Sequence, residues 1–468
     1  MKICVLNGSP KGSDSVTMQY VRFLELAFPG HTFIVEHVGQ RITALEMDEE
    51  AFRKVMASIS SADAILFATP VYYMLVPAQF KRFFELLFTK NAKSDFTGKY
   101  AAAITTSIHF FDQTATAYLH AVAEDLGMLW GGPFMAKMND LTSEKHQEEL
   151  LLFGADFFDQ ASRRPAVQRF YPPVNRTLYQ YRPGGIPMPL DTAGKKAVIL
   201  TDARPGSNLE KMVTRAASCF GTAALVIPLE DAEMKGGCLG CCRCAFENRC
   251  VYTDGFVNFW NTTVLGADIV IFAGYVKDRY LSADFKQVFD RSFFKGHVPS
   301  LAGRPVGFII EGPFSQCETL REVLTSYVAV QGSTLAGFVS DEDENSTAID
   351  ARIDTLADRA LRLAKSGYVA PGGFPSVAGK KVFRDELYAG MRAVFKADDA
   401  YYQQHGLYDF PTDHLGDRVR TTSLSLLLSI PQARKSTEQD MKKHMLEPLE
   451  QAIRTSPVLK RRQQEQKR

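Results

Sequence analysis

Five of the chain's eight cysteines fall within one short loop, KGGCLGCCRCAFENRC, at residues 235–250. Four of them have the spacing C-x2-C-x2-C-x5-C and are Cys238, Cys241, Cys244 and Cys250. Such closely spaced thiolates can wrap a compact cubane iron–sulfur cluster, whereas a structural zinc site usually draws its ligands from two more distant knuckles. Zinc, a redox dithiol of Cys241 and Cys244, and a loop without metal are the alternatives.

The composition of the 468-residue chain is typical of a soluble globular protein, with 46% hydrophobic and 23% charged residues. The net charge is +1, so no broad basic field argues for a nucleic-acid partner. No apolar run approaches the ~20 residues that a membrane span needs, and the N-terminus MKICVLNGSP lacks the features of a signal peptide. We therefore expect a cytoplasmic protein, in which clustered cysteines are more typical of metal or redox chemistry than of disulfides.

The chain repeats itself. KICVLNGSPKGSD (2–14) aligns with KAVILTDARPGSN (196–208) at an offset of 194 residues. ADAILFATPVYYMLVPAQFKRFFE (62–85) aligns with ADIVIFAGYVKDRYLSADFKQVFD (267–290) at an offset of 205 residues. The offset therefore grows by 11 residues in the interval that contains the cysteine loop, and the first copy has no cysteine there. The cysteine loop is the predicted insertion.

Near-continuous apolar strands alternate with helical stretches in each copy, which is typical of a parallel sheet covered by helices on both faces. The sequence predicts two tandem doubly wound α/β domains, which we call the first repeat (1–163) and the second repeat (195–365). The Pro- and Gly-rich residues 164–194 predict a linker arm. Residues 366–468 predict a C-terminal helical extension, with helical periodicity that includes 436–455. Ligands of such sheets bind at the carboxyl ends of the strands.

Two loops of the first repeat have the composition of a ligand site. NGSPKGSDSVT (7–17) follows a strand and opens a helix, where hydroxyl groups and helix amides suit a phosphate monoester. It matches neither the Walker nor the GxGxxG pattern. In TPVYYMLVPAQFKRFFE (69–85), Tyr72 and Tyr73 follow a buried strand and offer rings on which a planar heteroaromatic group can stack. Taken singly, a polar turn and packed tyrosines explain these residues equally well.

Together the two loops resemble those of the flavodoxin-like family of NAD(P)H-dependent FMN reductases, and TTSIHFFD (105–112) stands where that family has a third flavin loop. The resemblance covers about residues 1–150 and 195–365, and it implies a flavodoxin-like fold, bound FMN and NAD(P)H as co-substrate. The residues that it implies for the FMN phosphate are Ser9, Lys11, Ser15, Val16 and Thr17. Those that it implies for the isoalloxazine ring are Pro70, Val71, Tyr72, Tyr73, Thr106 and Ser107.

The second repeat departs from this pattern at its phosphate loop. Asp202 and Ala203 stand where the first repeat has Gly8 and Ser9. Because an aspartate repels a phosphate, we expect the second repeat to bind FMN weakly or not at all.

The cysteine loop resembles that of the iron–sulfur flavoproteins within the same family, in which a C-x2-C-x2-C-x5-C loop binds a [4Fe–4S] cluster. Those proteins form dimers in which one subunit's cluster approaches the other subunit's flavin. The resemblance therefore implies an intrachain pseudo-dimer with FMN in the first repeat and [4Fe–4S] in the second. It leaves open whether chains assemble further.

The function that follows is electron transfer between NAD(P)H, or another small-molecule or protein donor, and an acceptor that the sequence does not identify. Nothing in the sequence calls for a nucleic acid or a membrane as partner. Two alternatives stay open. One is a reductase of FMN, quinones or nitro compounds that has no cluster, and the other is a sensor that binds flavin or metal.

Overall fold

The first repeat alternates strands with helices, as its apolar segments predict. A computed structural model describes residues 1–410 except His297, together with a few isolated positions between 419 and 464. The strands of the first repeat are β1 (Lys2–Asn7), β2 (Thr32–Glu36), β3 (Ala64–Pro70), β4 (Tyr100–Ser107) and β5 (Leu129–Lys137). Its helices are α1 (Val16–Ala27), α2 (Ile42–Met47), α3 (Glu49–Ser61), α4 (Ala78–Thr89), α5 (Asp112–Asp125) and α6 (Glu144–Arg163).

The second repeat has the same alternation, with the cysteine loop between its second and third strands. Its strands are β6 (Ala197–Thr201), β7 (Ala224–Pro228), β8 (Ile269–Tyr275), β9 (Pro305–Glu311) and β10 (Thr334–Ser340). Its helices are α7 (Asn208–Phe220), α8 (Cys244–Glu247), α9 (Phe256–Phe259), α10 (Ala283–Ser292), α11 (Glu318–Val330) and α12 (Ser346–Ser366). A π-helical turn, Trp260–Val264, continues α9. Single 3₁₀ turns lie at Gly12–Asp14, Ala92–Asp95, Asp140–Thr142, Gly221–Ala223, Leu229–Ala232, Phe293–Lys295 and Phe314–Gln316.

The two sheets share one topology. Their strand orders are β2-β1-β3-β4-β5 and β7-β6-β8-β9-β10, and every pairing between these strands is parallel. This is the flavodoxin-like order, and it confirms the predicted fold class of two tandem flavodoxin-like α/β domains. In such a sheet the strand order reverses beside the first strand, and ligands bind outside the carboxyl ends of the strands at that point.

The central strands are buried on both faces, which explains their apolar sequences. In β3 every residue except the terminal Pro70 is buried, and β8 has the same pattern up to Tyr275. Helices on both sides of each sheet remove these strands from water. The polar residues that follow the strands are therefore held at the sheet edge by a rigid core.

Serine side chains cap the helices that open at these edges. Ser15 precedes α1 and its side chain accepts a hydrogen bond from the Met18 amide at 3.3 Å. Ser207 precedes α7 in the same way and accepts from the Glu210 amide at 3.1 Å. Each hydroxyl satisfies a helix amide that has no partner within the helix.

The C-terminal extension begins with helices, as predicted. They are α13 (Phe374–Glu386), a π-helical turn (Leu387–Met391) and α14 (Lys396–Gln404). Helix α13 packs against α11, and α14 packs against α8 in the cysteine loop. Residues 1–407 form one compact unit, and the helix predicted at 436–455 lies outside the described residues. Among the described residues, no helix has the length and hydropathy to cross a membrane.

Candidate functional site

The loop between β1 and α1 is fixed by its own side chains. The Asn7 amide group donates to the Gly12 carbonyl oxygen at 2.8 Å, and the Asn7 side-chain oxygen accepts from the Ser9 amide at 3.0 Å. The Ser9 hydroxyl in turn accepts from the Lys11 amide at 3.2 Å. Gly12 has a φ of 59°, which glycine adopts without strain. Asn7, which the motif comparison did not single out, therefore shapes the predicted phosphate loop.

The start of α1 contacts the end of β4. The hydroxyl groups of Thr17 and Thr106 lie 2.6 Å apart and share a hydrogen bond in a buried position. Val16, the first residue of the helix, is partly exposed beside Ser15. Residues predicted for the phosphate and for the ring thus meet at one edge of the sheet.

The residues that follow β3 join the same edge. Pro70 lies opposite Thr106 in the parallel ladder, and the Val71 amide donates to the Thr106 carbonyl oxygen at 3.0 Å. Ser107 is the next residue of β4 and is half-buried. The structure therefore brings together four of the six residues predicted to line the ring.

The turn after Val71 separates the two tyrosines. Tyr72 and Leu75 exchange backbone hydrogen bonds of 2.8 and 3.1 Å, and Tyr73 and Met74 between them have φ values of 43° and 68°. A left-handed backbone is strained for such side chains. The Tyr73 ring packs on Tyr327 of the second repeat at 5.4 Å between centroids, and its hydroxyl oxygen accepts from Gln331. Tyr73 is thus anchored in the second repeat.

Tyr72 lies against the cysteine loop. A methyl group on Gly240, which has a φ of 62°, would collide with the Tyr72 hydroxyl and come within 3.3 Å of the Lys11 side chain. Burial, and next the Cys238 thiol, raise the pKa of Tyr72 well above its ordinary value. The predicted phosphate loop, the loop after β3 that is predicted to line the ring, and the cysteine loop therefore meet at Gly240.

Gln79 provides a second contact between the repeats. Its side-chain Nε2 donates to the Cys238 carbonyl oxygen at 3.0 Å. Its Oε1 is buried and has no hydrogen-bond partner among the described residues. The Thr105 hydroxyl of β4 is likewise buried without a partner there. A bound molecule with polar edges would satisfy such groups, whose isolation is otherwise unfavourable.

The third loop is held by a histidine–aspartate pair. His109 Nδ1 lies 2.7 Å from the Asp112 carboxylate, and the His109 amide donates to the Ser107 hydroxyl at 2.8 Å. His109 and Phe111 both have a left-handed backbone, with φ values of 61° and 54°. The pair positions an imidazole beside the residues predicted to line the ring.

All five cysteines of the 235–250 loop line one small cavity, together with Tyr252, Asp290, Arg291, Phe293 and Phe294. The Gly240 amide donates to the Cys238 sulfur at 3.4 Å. Burial raises the pKa of Cys238 and of Cys244 to about 12, so neither has the depressed pKa of a reactive thiol. The dithiol alternative of Cys241 and Cys244 stays open.

The structure does not gather the predicted ligands around one point. Among the described residues, no group of three histidine, cysteine or carboxylate side chains is arranged to hold a metal ion. Cys238, Cys241, Cys244 and Cys250 share a cavity without forming a coordination sphere. The [4Fe–4S] assignment is therefore not confirmed and stays a prediction.

Carboxylates occupy the corresponding edge of the second sheet. Asp202 accepts hydrogen bonds from Ser282 and from the Tyr275 amide, and burial raises its pKa to about 7. Glu311, aligned with Thr106, accepts from the Leu209 amide at the start of α7 at 2.8 Å. The Leu209 amide, which could otherwise donate to a phosphate, already donates to the Glu311 carboxylate.

The linker arm covers the same edge of the second repeat. The Tyr181 amide donates to the Asn208 side chain at 2.8 Å, and the Tyr181 ring is fully buried in the core of the second repeat. The Asn208 amide group donates to Asp341 at 2.8 Å. These contacts fit the expectation that the second repeat has lost its flavin site, which stays a prediction.

Comparison with known families finds a match in the first repeat. Residues 1–135 match the sequence model of the family described as NADPH-dependent FMN reductase. The first repeat is therefore similar to FMN reductases. The match confirms the resemblance drawn from the GSP and PVYY loops, and two sheets of equal topology are compatible with a tandem form of this FMN reductase-like domain. A comparison with curated proteins gives no match.

Solved structures of similar fold align with about one third of the chain. FerB, described as a flavoenzyme NAD(P)H:(acceptor) oxidoreductase from Paracoccus denitrificans, is 20% identical, covers 34% of this chain and 97% of its own, and has a TM-score of 0.27. An FMN-dependent NADH-azoreductase from Bacillus anthracis is 15% identical and covers 35% of this chain and 99% of its own, with a TM-score of 0.25. An oxidoreductase from Corynebacterium diphtheriae is 16% identical and covers 36% and 99%, with a TM-score of 0.30.

Proposed function

We propose that this chain is a flavin-dependent NAD(P)H oxidoreductase that binds FMN at the carboxyl edge of its first sheet. The observation that carries the proposal is the meeting of three loops there, marked by the contact of Thr17 with Thr106 and of Lys11 and Tyr72 with Gly240. The family match of residues 1–135 supports the same cofactor. The unpaired oxygen of Gln79 adds a buried polar group for a ligand to satisfy.

The residues present fit FMN at both of its ends. The phosphate would lie at the N-terminus of α1, where the dipole favours an anion, and would be held by Ser9, Lys11, Ser15, Val16 and Thr17. The ring would contact Pro70, Val71, Tyr72, Thr106 and Ser107. We give Tyr73 an anchoring role, because its ring packs in the second repeat. When bound, FMN supplies hydride chemistry with the nicotinamide.

We further propose a [4Fe–4S] cluster, held by Cys238, Cys241, Cys244 and Cys250, which would supply one-electron chemistry. All four thiols line one cavity, which supports it although they do not form a coordination sphere there. So does the Gly240 amide on the Cys238 sulfur, because hydrogen bonds to sulfur tune such clusters.

Buried positive charge lies beside the cavity. The guanidinium of Arg291 is fully buried, forms an ion pair with Asp254 at 2.7 Å and donates to the Gly236 carbonyl oxygen at 2.9 Å. A cluster bound by thiolates is anionic, but Asp254 already neutralises Arg291 and the Asp290 carboxylate lines the same cavity, so the local charges give no net support to the cluster. Cys242 lies outside the C-x2-C-x2-C-x5-C spacing, which leaves it out of this ligand set, and free clustered thiols suit a reducing compartment such as the cytoplasm.

The two proposed sites belong to different repeats but touch each other. Gln79 of the first repeat is bonded to Cys238 of the second, and Tyr72 contacts Gly240. We therefore propose that the two repeats form an intrachain pseudo-dimer, in which the FMN site of the first repeat and the cluster site of the second repeat lie side by side at the boundary between the repeats. The acceptor is a small molecule or a protein of unassigned identity.

The test of this function is oxidation of NADPH and NADH by the full chain under anaerobic conditions, with ferricyanide as the final acceptor. We expect turnover with FMN bound and none after the flavin is removed, with recovery when FMN is restored. A chain that binds FMN but oxidises neither nicotinamide would contradict the oxidoreductase and favour a sensor. Turnover that is unchanged after removal of iron would favour the reductase without a cluster.

A further inference from the structure

Two buried lysine–carboxylate pairs lie at the boundary between the repeats, each within one helix. One is Lys81 with Glu85 on α4 and the other is Lys286 with Asp290 on α10, and the pairs are related by the offset of 205 residues. Helices α4 and α10 pack against each other, and none of the four side chains is more than 1% exposed. A buried ion pair gives little net stability by itself, so the hydrogen bonds that each pair makes with other groups show what it does.

The pair in the second repeat holds a loop of the first repeat at both ends. Lys286 Nζ donates to the Tyr72 carbonyl oxygen at 2.8 Å. The Asp290 carboxylate accepts from the Ala78 amide, also at 2.8 Å. Tyr72 and Ala78 bracket the segment between β3 and α4, which is the segment proposed to line the flavin ring. The ion pair on α10 of the second repeat thus holds both the start and the end of this segment of the first repeat, which we call the ring loop.

The ring loop needs such a clamp because its backbone is strained. Tyr73 and Met74 are both left-handed, a conformation that is strained for residues with a side chain. Within the loop, the backbone hydrogen bonds between Tyr72 and Leu75 oppose a relaxation, and the Tyr73 side chain is anchored in the second repeat. Thr114 adds a bond from α5 to the Met74 carbonyl oxygen. Loss of the Lys286 bond would leave the Tyr72 carbonyl oxygen with the Leu75 amide as its donor and would remove the contact that ties this corner of the turn to α10.

The symmetric pair performs a different task and offers a control. Glu85 accepts from the Ala283 amide at 2.7 Å, as Asp290 does from Ala78. Lys81, however, bonds the Asp278 carboxylate at 3.0 Å and no backbone carbonyl of the aligned loop. This second clamp holds the edge of the second sheet, where Asp202 and Glu311 take the place of a ligand.

We propose that Lys286 and Asp290 are positioning residues for the flavin site of the first repeat. The carboxyl edge of the second sheet is itself occupied by carboxylates. The second repeat instead contributes to the FMN site of the first repeat, because its Lys286 and Asp290 hold the ring loop in place. The proposal rests on the proposed function, because it assigns these residues to the FMN site. It predicts that the two symmetric pairs differ in their effect on FMN affinity although both are buried in the same interface.

The test compares FMN affinity in two matched double variants of the full chain, measured by quenching of flavin fluorescence. Lys286→Met/Asp290→Leu removes both charges of the clamp together, so no buried charge is left alone. We expect it to weaken FMN binding about 10-fold or more, since a site that must be ordered on binding has a lower affinity. Lys81→Met/Glu85→Met is the control; it removes the lysine partner of Asp278, which keeps its hydrogen bond from Tyr118, and it should change the FMN affinity less than about 3-fold.

Two further variants separate positioning from folding. Asp290→Glu places at this position the acid that the first repeat has at Glu85, and it should retain wild-type affinity. If the double variant does not fold, Lys286→Met/Asp290→Asn keeps an acceptor for Ala78 while it loses the donor to Tyr72, and it should still weaken FMN binding. Thermal unfolding of each variant reports whether the fold is intact.

The outcomes distinguish this inference from the function on which it rests. Equal weakening by both pairs, or none by either, in a wild-type chain that binds FMN would overturn the positioning role and leave the flavin site standing. A wild-type chain that binds no FMN would overturn both, and it is recognised before any variant is made. Selective weakening by the Lys286 and Asp290 variants supports the inference.

Discussion

Ser15→Asp is expected to abolish most FMN binding, with an affinity about 1,000-fold lower than that of the wild type. Ser15 caps α1 at the proposed phosphate site and is almost fully buried. Aspartate is as good an N-cap as serine, so the helix should keep its start. The added carboxylate, however, would face the phosphate, and two like charges about 4 Å apart near a protein surface repel by roughly 4 kcal/mol.

The matched control is Ser207→Asp, because Ser207 caps α7 in the second repeat with the same geometry. Its carboxylate should leave FMN affinity unchanged, since the start of α7 is already engaged by Glu311. Fluorescence titration with FMN measures both variants, and circular dichroism checks that they are folded. Wild-type affinity in Ser15→Asp, or equal loss in Ser207→Asp, would contradict the placement of the phosphate.

Cys238→Ser is expected to remove nearly all bound iron while it leaves FMN in place. Cys238 is the most enclosed of the proposed ligands: its sulfur accepts from the Gly240 amide and its carbonyl accepts from Gln79. A serine hydroxyl is a far weaker ligand for iron than a thiolate, so the cluster should not assemble. The flavin residues belong to the other repeat and should keep their geometry.

The control for this variant is Cys242→Ser. Cys242 lies in the same loop but is exposed and outside the C-x2-C-x2-C-x5-C spacing. Iron and acid-labile sulfide per chain should therefore match those of the wild type, and the flavin content should be equal in both variants. Equal iron in Cys238→Ser and the wild type would remove Cys238 from the ligand set.

Much of the fold follows from the sequence because the relevant signals are local. The apolar runs at β3 and β8 are long enough to be buried strands, and the repeated segments fix their equivalence. The glycine and serine residues between β1 and α1 indicate a tight loop that ends at a helix start, which is where the structure has it. Such features depend on residues that are near one another in the chain.

The contacts between the repeats do not follow from local patterns. The bond from Lys286 to Tyr72 joins residues 214 apart, and the apolar periodicity of α4 and α10 gives only the buried face and not its partner. For the same reason the sequence assigns Tyr72 and Tyr73 one role, whereas the strained turn directs them to different surroundings. Likewise, Glu311 can be recognised as the acid at the start of α7 only when the sheet edge is assembled.

The central claim is that one chain carries FMN in its first repeat and an iron–sulfur cluster in its second. The most direct measurement is the content of flavin, iron and acid-labile sulfide per chain in wild-type protein purified without oxygen. The account predicts about one FMN with about four irons and about four sulfides. One FMN without iron would contradict the cluster and leave a simple flavin reductase, and two FMN per chain would contradict the loss of the flavin site in the second repeat.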